Sequence, residues 1–280
     1  MKFLIVGGDK RTTKLIEMLK NDKHEVKTFG IDNADIKNLK MLKSENISTF
    51  DAIIGPIPFT KDGENLNAPL TTENIAICEL LPILKNKTFI TGPISLEKNK
   101  EMEKYNINAI DIMKSEELIV YNTIATAEGA IELAITNTEK NLHESKILIL
   151  GFGNVAKTLA FKLKGLSKEV TCAARKLKDF AWIDTLGLNK KNINELDENL
   201  KEYDIIINTV PHVILTAEKI KNIRKDALVI ELASKPGGID QAAIKESNIK
   251  YIFASALPGK VAPISSAEYI KKAIYNIINN

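Results

Sequence analysis

The sequence predicts an α/β protein of two open parallel-sheet domains with a cleft between them. Its 280 residues amount to about two domains at ~150 residues each. Short apolar runs of strand length alternate with segments of helical periodicity through both halves of the chain. Each half also opens with a strand that runs into a glycine-containing turn, at Gly7-Gly8 and at Gly151-Phe152-Gly153.

The first strand, at residues 2–6, ends in Gly7-Gly8-Asp9, and Leu15, Ile16 and Leu19 then recur at helical spacing. Strands near 25–29, 51–54 and 88–91 and a helix near 73–85 continue the alternation, with Gly55-Pro56-Ile57-Pro58 and Gly92-Pro93 as loops. Between Ser115 and Asn141, the residues Ala127, Ala130, Ile131, Ala134 and Ile135 share one helical face, which places a connecting helix at about 123–141. This gives a first domain over 1–122 and a second over 123–264. Strands near 146–150, 169–174, 204–208, 227–232 and 250–253 build the second sheet, with intervening segments long enough for right-handed crossovers. Ile270, Ala273, Ile274 and Ile277 predict a last helix over 265–280, expected to return to the first domain.

Composition narrows the function classes. Hydrophobic residues make up 44% and charged residues 27%, which excludes disordered and collagen-like chains. A formal charge of +3 without a basic cluster predicts no nucleic-acid partner. Uninterrupted apolar runs stop at about five residues, far below the ~20 of a membrane span, and no signal-peptide core follows Met1. A cytoplasmic protein without a membrane helix is therefore expected. Cys78 and Cys172 are distant in sequence and lack metal-site spacing, so two buried, reduced thiols and no metal are expected.

The motif with the most chemistry is Gly151-Phe152-Gly153-Asn154-Val155-Ala156, placed between an apolar strand and a helix. Gly151 permits the tight turn, Gly153 lets backbone approach a pyrophosphate, and Ala156 lets the helix pack closely on the strand. Asn154 and Val155 open the helix whose amides face phosphate. The second domain is thus predicted to be a Rossmann NAD(P)-binding domain. In NAD-binding members of that fold, the second strand ends in a carboxylate that holds the ribose. Here it ends in Arg175-Lys176, which favours NADP, with NAD as the second choice. At the carboxyl edge of the next two strands, Asn208, Thr209, Val210 and Pro211, then Ala233 and Ser234, are further cofactor-binding candidates. His212 reads as a surface histidine at a turn.

Four blocks then take on a pattern: Gly7-Gly8-Asp9-Lys10-Arg11, Tyr121-Asn122-Thr123-Ile124-Ala125-Thr126-Ala127-Glu128-Gly129, Leu232-Ala233-Ser234-Lys235-Pro236-Gly237-Gly238 and Leu257-Pro258-Gly259-Lys260-Val261-Ala262-Pro263. In this order, and over nearly the full chain, they resemble the family of the dipicolinate synthase A-subunit. Lys235 stands where the family allows Arg, and Ala125 where it often has Pro. The resemblance implies a sporulation enzyme of the mother-cell cytoplasm that works with a smaller, flavoprotein-like B-subunit. Its implied reaction converts 4-hydroxy-tetrahydrodipicolinate to dipicolinate, with loss of water and of a hydride to NAD(P). A homo-oligomer is also open.

Such a substrate needs donors for two carboxylates. Arg11 can grip one of them bidentately, although a solvated first-turn arginine is the other reading. Lys235 with Gly237 and Gly238 offers charge and bare backbone, as does Lys260. Thr123, Thr126 and Glu128 sit where the connecting helix is expected to begin, and helix capping is the alternative for Thr126. Glu128 is the candidate proton acceptor, on the expectation that burial in a closing cleft raises its pKa, with Lys235 the candidate catalytic cation. The competing functions are another two-domain dehydrogenase of a small carboxylate and an NADP-sensing regulator.

Overall fold

The structure is a computed structural model and describes residues 1–32, 42–43, 47–196 and 200–279. The chain divides into two compact units, Met1–Tyr121 with Ala262–Asn280, and Asn122–Val261.

In the first unit, strands β1 (Lys2–Val6), β2 (Glu25–Phe29), β3 (Ala52–Ile54), β4 (Thr88–Thr91) and β5 (Asn108–Asp111) form one sheet in the order β2-β1-β3-β4-β5. All its pairings are parallel. Helix α1 (Lys10–Asn21) starts at Asp9, whose side chain accepts from the Arg11 amide, and buries Leu15, Ile16 and Leu19. Helix α2 covers only Ile77–Ile83, shorter than expected, because Ile75 and Ala76 pair instead with Leu66 and Asn65. Two elements escaped the periodicity argument, α3 (Leu96–Glu103) and β5, which is half-buried at the sheet edge.

Helix α4 (Glu116–Thr136) starts seven residues earlier than the expected 123 and stops before 141. Ser115 accounts for the start, since its hydroxyl accepts from the Leu118 amide and is followed by Glu116 and Glu117 in the first turn. At the other end, the Asn137 and Thr138 side chains donate to the carbonyls of Leu133 and Ala134, satisfying groups that a helix end leaves open. By length and composition α4 could cross a membrane, which an argument from uninterrupted apolar runs overlooks. In the structure its Ala127, Ala130 and Ala134 are fully buried in the core of the second unit.

The second unit is built from β6 (Lys146–Leu150), α5 (Asn154–Lys164), β7 (Glu169–Ala174), α6 (Leu177–Thr185), β8 (Asn189–Asn192), β9 (Ile205–Asn208), α7 (Ala217–Lys221), β10 (Leu228–Glu231), α8 (Gln241–Glu246), β11 (Lys250–Phe253) and α9 (Leu257–Val261). The sheet order is β11-β10-β9-β6-β7-β8, again all parallel. Counted from β6 this is the doubly wound 6-5-4-1-2-3 arrangement, whose strand order reverses between β6 and β9. Strand β8 reads Asn189-Lys190-Lys191-Asn192 at an exposed edge, so no apolar pattern announces it. Central strands such as Ile205–Asn208 are buried on both faces, as a parallel sheet covered by helices requires.

The last helix, α10 (Pro263–Asn279), packs on α1 and buries Ala267, Ile270, Ala273 and Ile274 against Phe3, Ile5 and Leu15 of the first unit. Burial of Ile270 and Ile274 contributes roughly 1.5–3 kcal/mol each. Asn280, the expected end of this helix, lies outside the described residues.

Candidate dinucleotide site

Where β6 ends, Gly151 adopts φ +95, and a Cβ there would lie 2.6 Å from Thr209 Oγ1 and 2.7 Å from Val210 Cγ2. This position needs glycine for both conformation and space. Gly153 differs: it is the N-cap of α5 at φ −79, no side chain caps the helix, and nothing lies within 4 Å of where a Cβ would be. Its missing side chain therefore leaves open space above an uncapped helix N-terminus, the geometry that favours an approaching phosphate. Ala156 is fully buried in the core, Val155 is half-buried and Asn154 is exposed.

An open groove of about 940 Å³ runs past this turn, a size suited to a nucleotide-class ligand. Gly153, Arg175, Lys176, Val210 and His212 line it. Arg175 and Lys176 are exposed where β7 gives way to α6. The first carboxylate after them is Asp179 in the first turn of α6, so the strand end itself carries only cations. Lys157 Nζ lies 5.7 Å from the Phe152 ring centre and 6.0 Å from that of Trp182, which is 55% exposed. Open backbone at Gly153, an uncapped helix and cations on the rim fit the phosphates of a dinucleotide.

Several of the expected side chains point elsewhere. Asn208 is fully buried, and its Nδ2 donates to Val210 O (2.9 Å) and Glu231 Oε1 (2.8 Å). Thr209 donates to Leu150 O (2.8 Å). Ala233 is buried, with its amide donating to Glu231 Oε1 (3.0 Å), and the Gly238 amide donates to Glu231 Oε2 (2.8 Å). The backbone donor expected of the Gly237-Gly238 pair is thus turned inward, with Gly237 at φ +87. Pro211, Ser234 and Lys235 are exposed at the surface of these loops. Burial pushes the Glu231 carboxyl above its ordinary value against the pull of these three donors. Glu231 escaped the sequence reading, yet a carboxylate ending the apolar run Leu228-Val229-Ile230 was a usable signal.

The substrate candidates are also redistributed. Arg11 is only 7% exposed and already holds a carboxylate: its Nε lies 3.0 and 3.2 Å from the two Asp9 oxygens and its Nη2 2.8 Å from Oδ2, with a further bond to Ile57 O. It is neither solvated nor free on that edge for a second bidentate partner. Because α4 begins at Glu116, Thr123, Thr126 and Glu128 lie within the helix and cap nothing. The Thr123 hydroxyl pairs with that of Thr158 at 2.7 Å, and the Thr126 hydroxyl donates to Asn122 O at 2.8 Å. Glu128 is 52% exposed at its side chain and pairs with Lys162 at 2.9 Å, so the burial expected of it is absent. Lys260, on α9, lies in a separate depression of about 430 Å³ with Glu132, Leu133 and Phe253. Cys78, expected to be buried, is exposed, whereas Cys172 is buried and its thiol is pushed up to about 12 by desolvation.

Two family models match the chain: the N-terminal domain of the dipicolinate synthase A-subunit over residues 2–113, then the D-isomer specific 2-hydroxyacid dehydrogenase, NAD binding domain, over residues 109–248. The dipicolinate synthase A-subunit of Bacillus subtilis is 28% identical over 289 aligned positions, covering 99% of this chain and 96% of that protein. The crystal structure of the dipicolinate synthase A-subunit from Bacillus halodurans superposes with a TM-score of 0.90 at 28% identity, covering 100% of this chain and 98% of that one. A shikimate dehydrogenase (NADP(+)) of Methanococcus maripaludis is 25% identical over 84% of this chain and 83% of its own length. Over its full length the chain is similar in sequence and fold to the dipicolinate synthase A-subunit, while residues 109–248 place it in the D-isomer specific 2-hydroxyacid dehydrogenase NAD-binding family.

Proposed function

We propose that this chain is the oxidoreductase component of a dipicolinate-forming enzyme, acting on 4-hydroxy-tetrahydrodipicolinate with NADP and working with a smaller B-subunit during sporulation in the mother-cell cytoplasm. The observation that carries the reading is the full-length similarity to the dipicolinate synthase A-subunit, joined to a phosphate-binding turn at Gly151–Ala156 with open space at Gly153. The substrate loses its 4-hydroxyl as water, then a hydride and a proton, and the ring becomes aromatic. Bound NADP supplies the hydride acceptor. Because aromatisation drives the reaction, the protein's main task is to hold the ring in place, and placement alone is worth ~7–11 kcal/mol in well-oriented reactions.

Gly151, Gly153, Asn154, Val155 and Ala156 form the phosphate turn in this reading. Arg175 and Lys176 receive the 2′-phosphate, a preference supported by the bare strand end and by an NADP-named relative. Val210, Pro211 and Ser234 are the members of the β9 and β10 loops left to face cofactor. Lys235 and Lys260 are the exposed cations available to the two substrate carboxylates.

The test is to supply NADP and freshly generated hydroxy-tetrahydrodipicolinate, with and without the B-subunit, while following NADPH absorbance. NADPH formation is expected with both subunits present. NADP binding without any turnover would leave a sensor or a dehydrogenase of another carboxylate.

A further inference from the structure

Glu231, the last residue of β10, is fully buried. No cation pairs with it among the described residues; Asn208 Nδ2, Ala233 N and Gly238 N donate to its two oxygens instead. These three groups are N–H donors, so the site calls for a side chain with an acceptor oxygen on each side, as a carboxyl group has. A carboxamide would turn its own hydrogens against one of them.

What this carboxylate holds is specific. Asn208 also donates to Val210 O and accepts from Val210 N at 3.1 Å, which shapes the loop after β9. Gly238 O in turn accepts from the amides of Ile214 (2.8 Å) and Leu215 (3.0 Å). The loops after β9 and β10 approach so closely that a Cβ on Gly238 would lie 2.3 Å from Asn208 Nδ2 and 2.4 Å from Val210 O. One buried side chain thus ties together both loops at the carboxyl edge of the second half of the sheet, across the strand-order reversal from Arg175. In a doubly wound sheet, that half receives the second nucleotide of a dinucleotide.

We infer that Glu231 is a positioning residue: it fixes the loops after β9 and β10 in the shape that receives the nicotinamide nucleotide, without itself touching cofactor or substrate. The inference rests on the reading of the groove as an NADP site. It separates two halves of one ligand, since Arg175 follows β7, on the far side of β6 from the ends of β9 and β10 that the Glu231 cluster ties together. Loss of the carboxylate should therefore weaken the hold on the nicotinamide half and spare the adenosine half.

The experiment measures the affinity of the full chain for NADPH and for adenosine 2′,5′-bisphosphate, which lacks the nicotinamide nucleotide. Glu231→Gln is expected to weaken NADPH binding by about tenfold or more, as loss of preorganised positioning can, while the affinity for the bisphosphate stays within about twofold. Asn208→Ala, which keeps the carboxylate and two of its donors, should move NADPH affinity in the same direction by less. Equal weakening of both ligands, or no weakening of NADPH, overturns the inference. If Glu231→Gln does not fold, the same comparison on Asn208→Ala decides. Failure of the unsubstituted chain to bind either ligand overturns the cofactor reading, and this inference with it.

Discussion

Arg11 closes on Asp9, two residues before it, through Nε at 3.0 and 3.2 Å and Nη2 at 2.8 Å, and the same Nη2 reaches across to Ile57 O. The pair therefore joins the turn after β1 to the loop after β3. Arg11→Ala would leave the Ile57 carbonyl and the Asp9 carboxylate short of a donor, a loss of about 1–3 kcal/mol. Urea denaturation should show that loss, and Arg11→Lys should recover little of it, because an ammonium cannot reproduce the two-pronged contact. Full stability in Arg11→Ala would mean that the pair is ornamental.

The two glycines of the turn after β6 should separate folding from binding. Gly151→Ala forces a side chain at φ +95 into Thr209 and Val210 and should cost about 1–3 kcal/mol of stability. Gly153→Ala meets nothing within 4 Å, so its thermal midpoint should hold while NADPH affinity falls. Calorimetry and fluorescence titration on both variants check the contrast.

Cofactor choice should turn on the end of β7. Arg175→Asp replaces a cation with the carboxylate that NAD-binding relatives of this fold use on the ribose. The ratio of NADP to NAD affinity should fall by about tenfold or more, the scale of a lost charge-assisted bond to phosphate. An unchanged ratio would assign the 2′-phosphate to another cation of the groove.

Glu128 is expected to be dispensable. Its exposed pairing with Lys162 is worth about 0–1 kcal/mol. Glu128→Gln should therefore leave both the melting temperature and the rate of NADPH formation near those of the unsubstituted chain. A large fall in turnover alone would restore it as a proton acceptor.

Acid sensitivity should centre on Asp204. Burial pushes its carboxyl up, but the Lys146 amide (2.8 Å), Lys140 (3.1 Å) and Arg224 (3.0 Å) outweigh that and hold it below its ordinary value. With the folded value below the unfolded one, the stabilisation is present above the ordinary carboxylate range and is lost as pH falls below about 4. Asp204→Asn should lower stability at neutral pH and flatten its decline in acid, as read by urea midpoints across pH.

The fold was legible wherever burial wrote a pattern. Strands β1, β6, β9 and β10 are apolar because both faces are covered, and the spacing of Ile270, Ala273 and Ile274 marked α10 before its partner α1 was known. The polar edge strand β8 and the start of α4 at Ser115 were not legible, since an exposed edge needs no apolar residues and a cap is a single hydroxyl. At the site, Gly151, Gly153 and Ala156 could be read because backbone conformation and close packing restrict the residue type. The inward turn of Asn208 and Gly238 could not, because it depends on the pairing of β9 with β10 that brings Glu231 against Asn208.

The deciding experiment incubates the chain and the proposed smaller B-subunit with NADP and freshly generated hydroxy-tetrahydrodipicolinate, and records NADPH and dipicolinate absorbance together. The two products should rise in equal amounts, because water loss followed by removal of one hydride and one proton yields the aromatic ring. Dipicolinate forming without NADPH, or NADPH forming without dipicolinate, would contradict the proposed reaction.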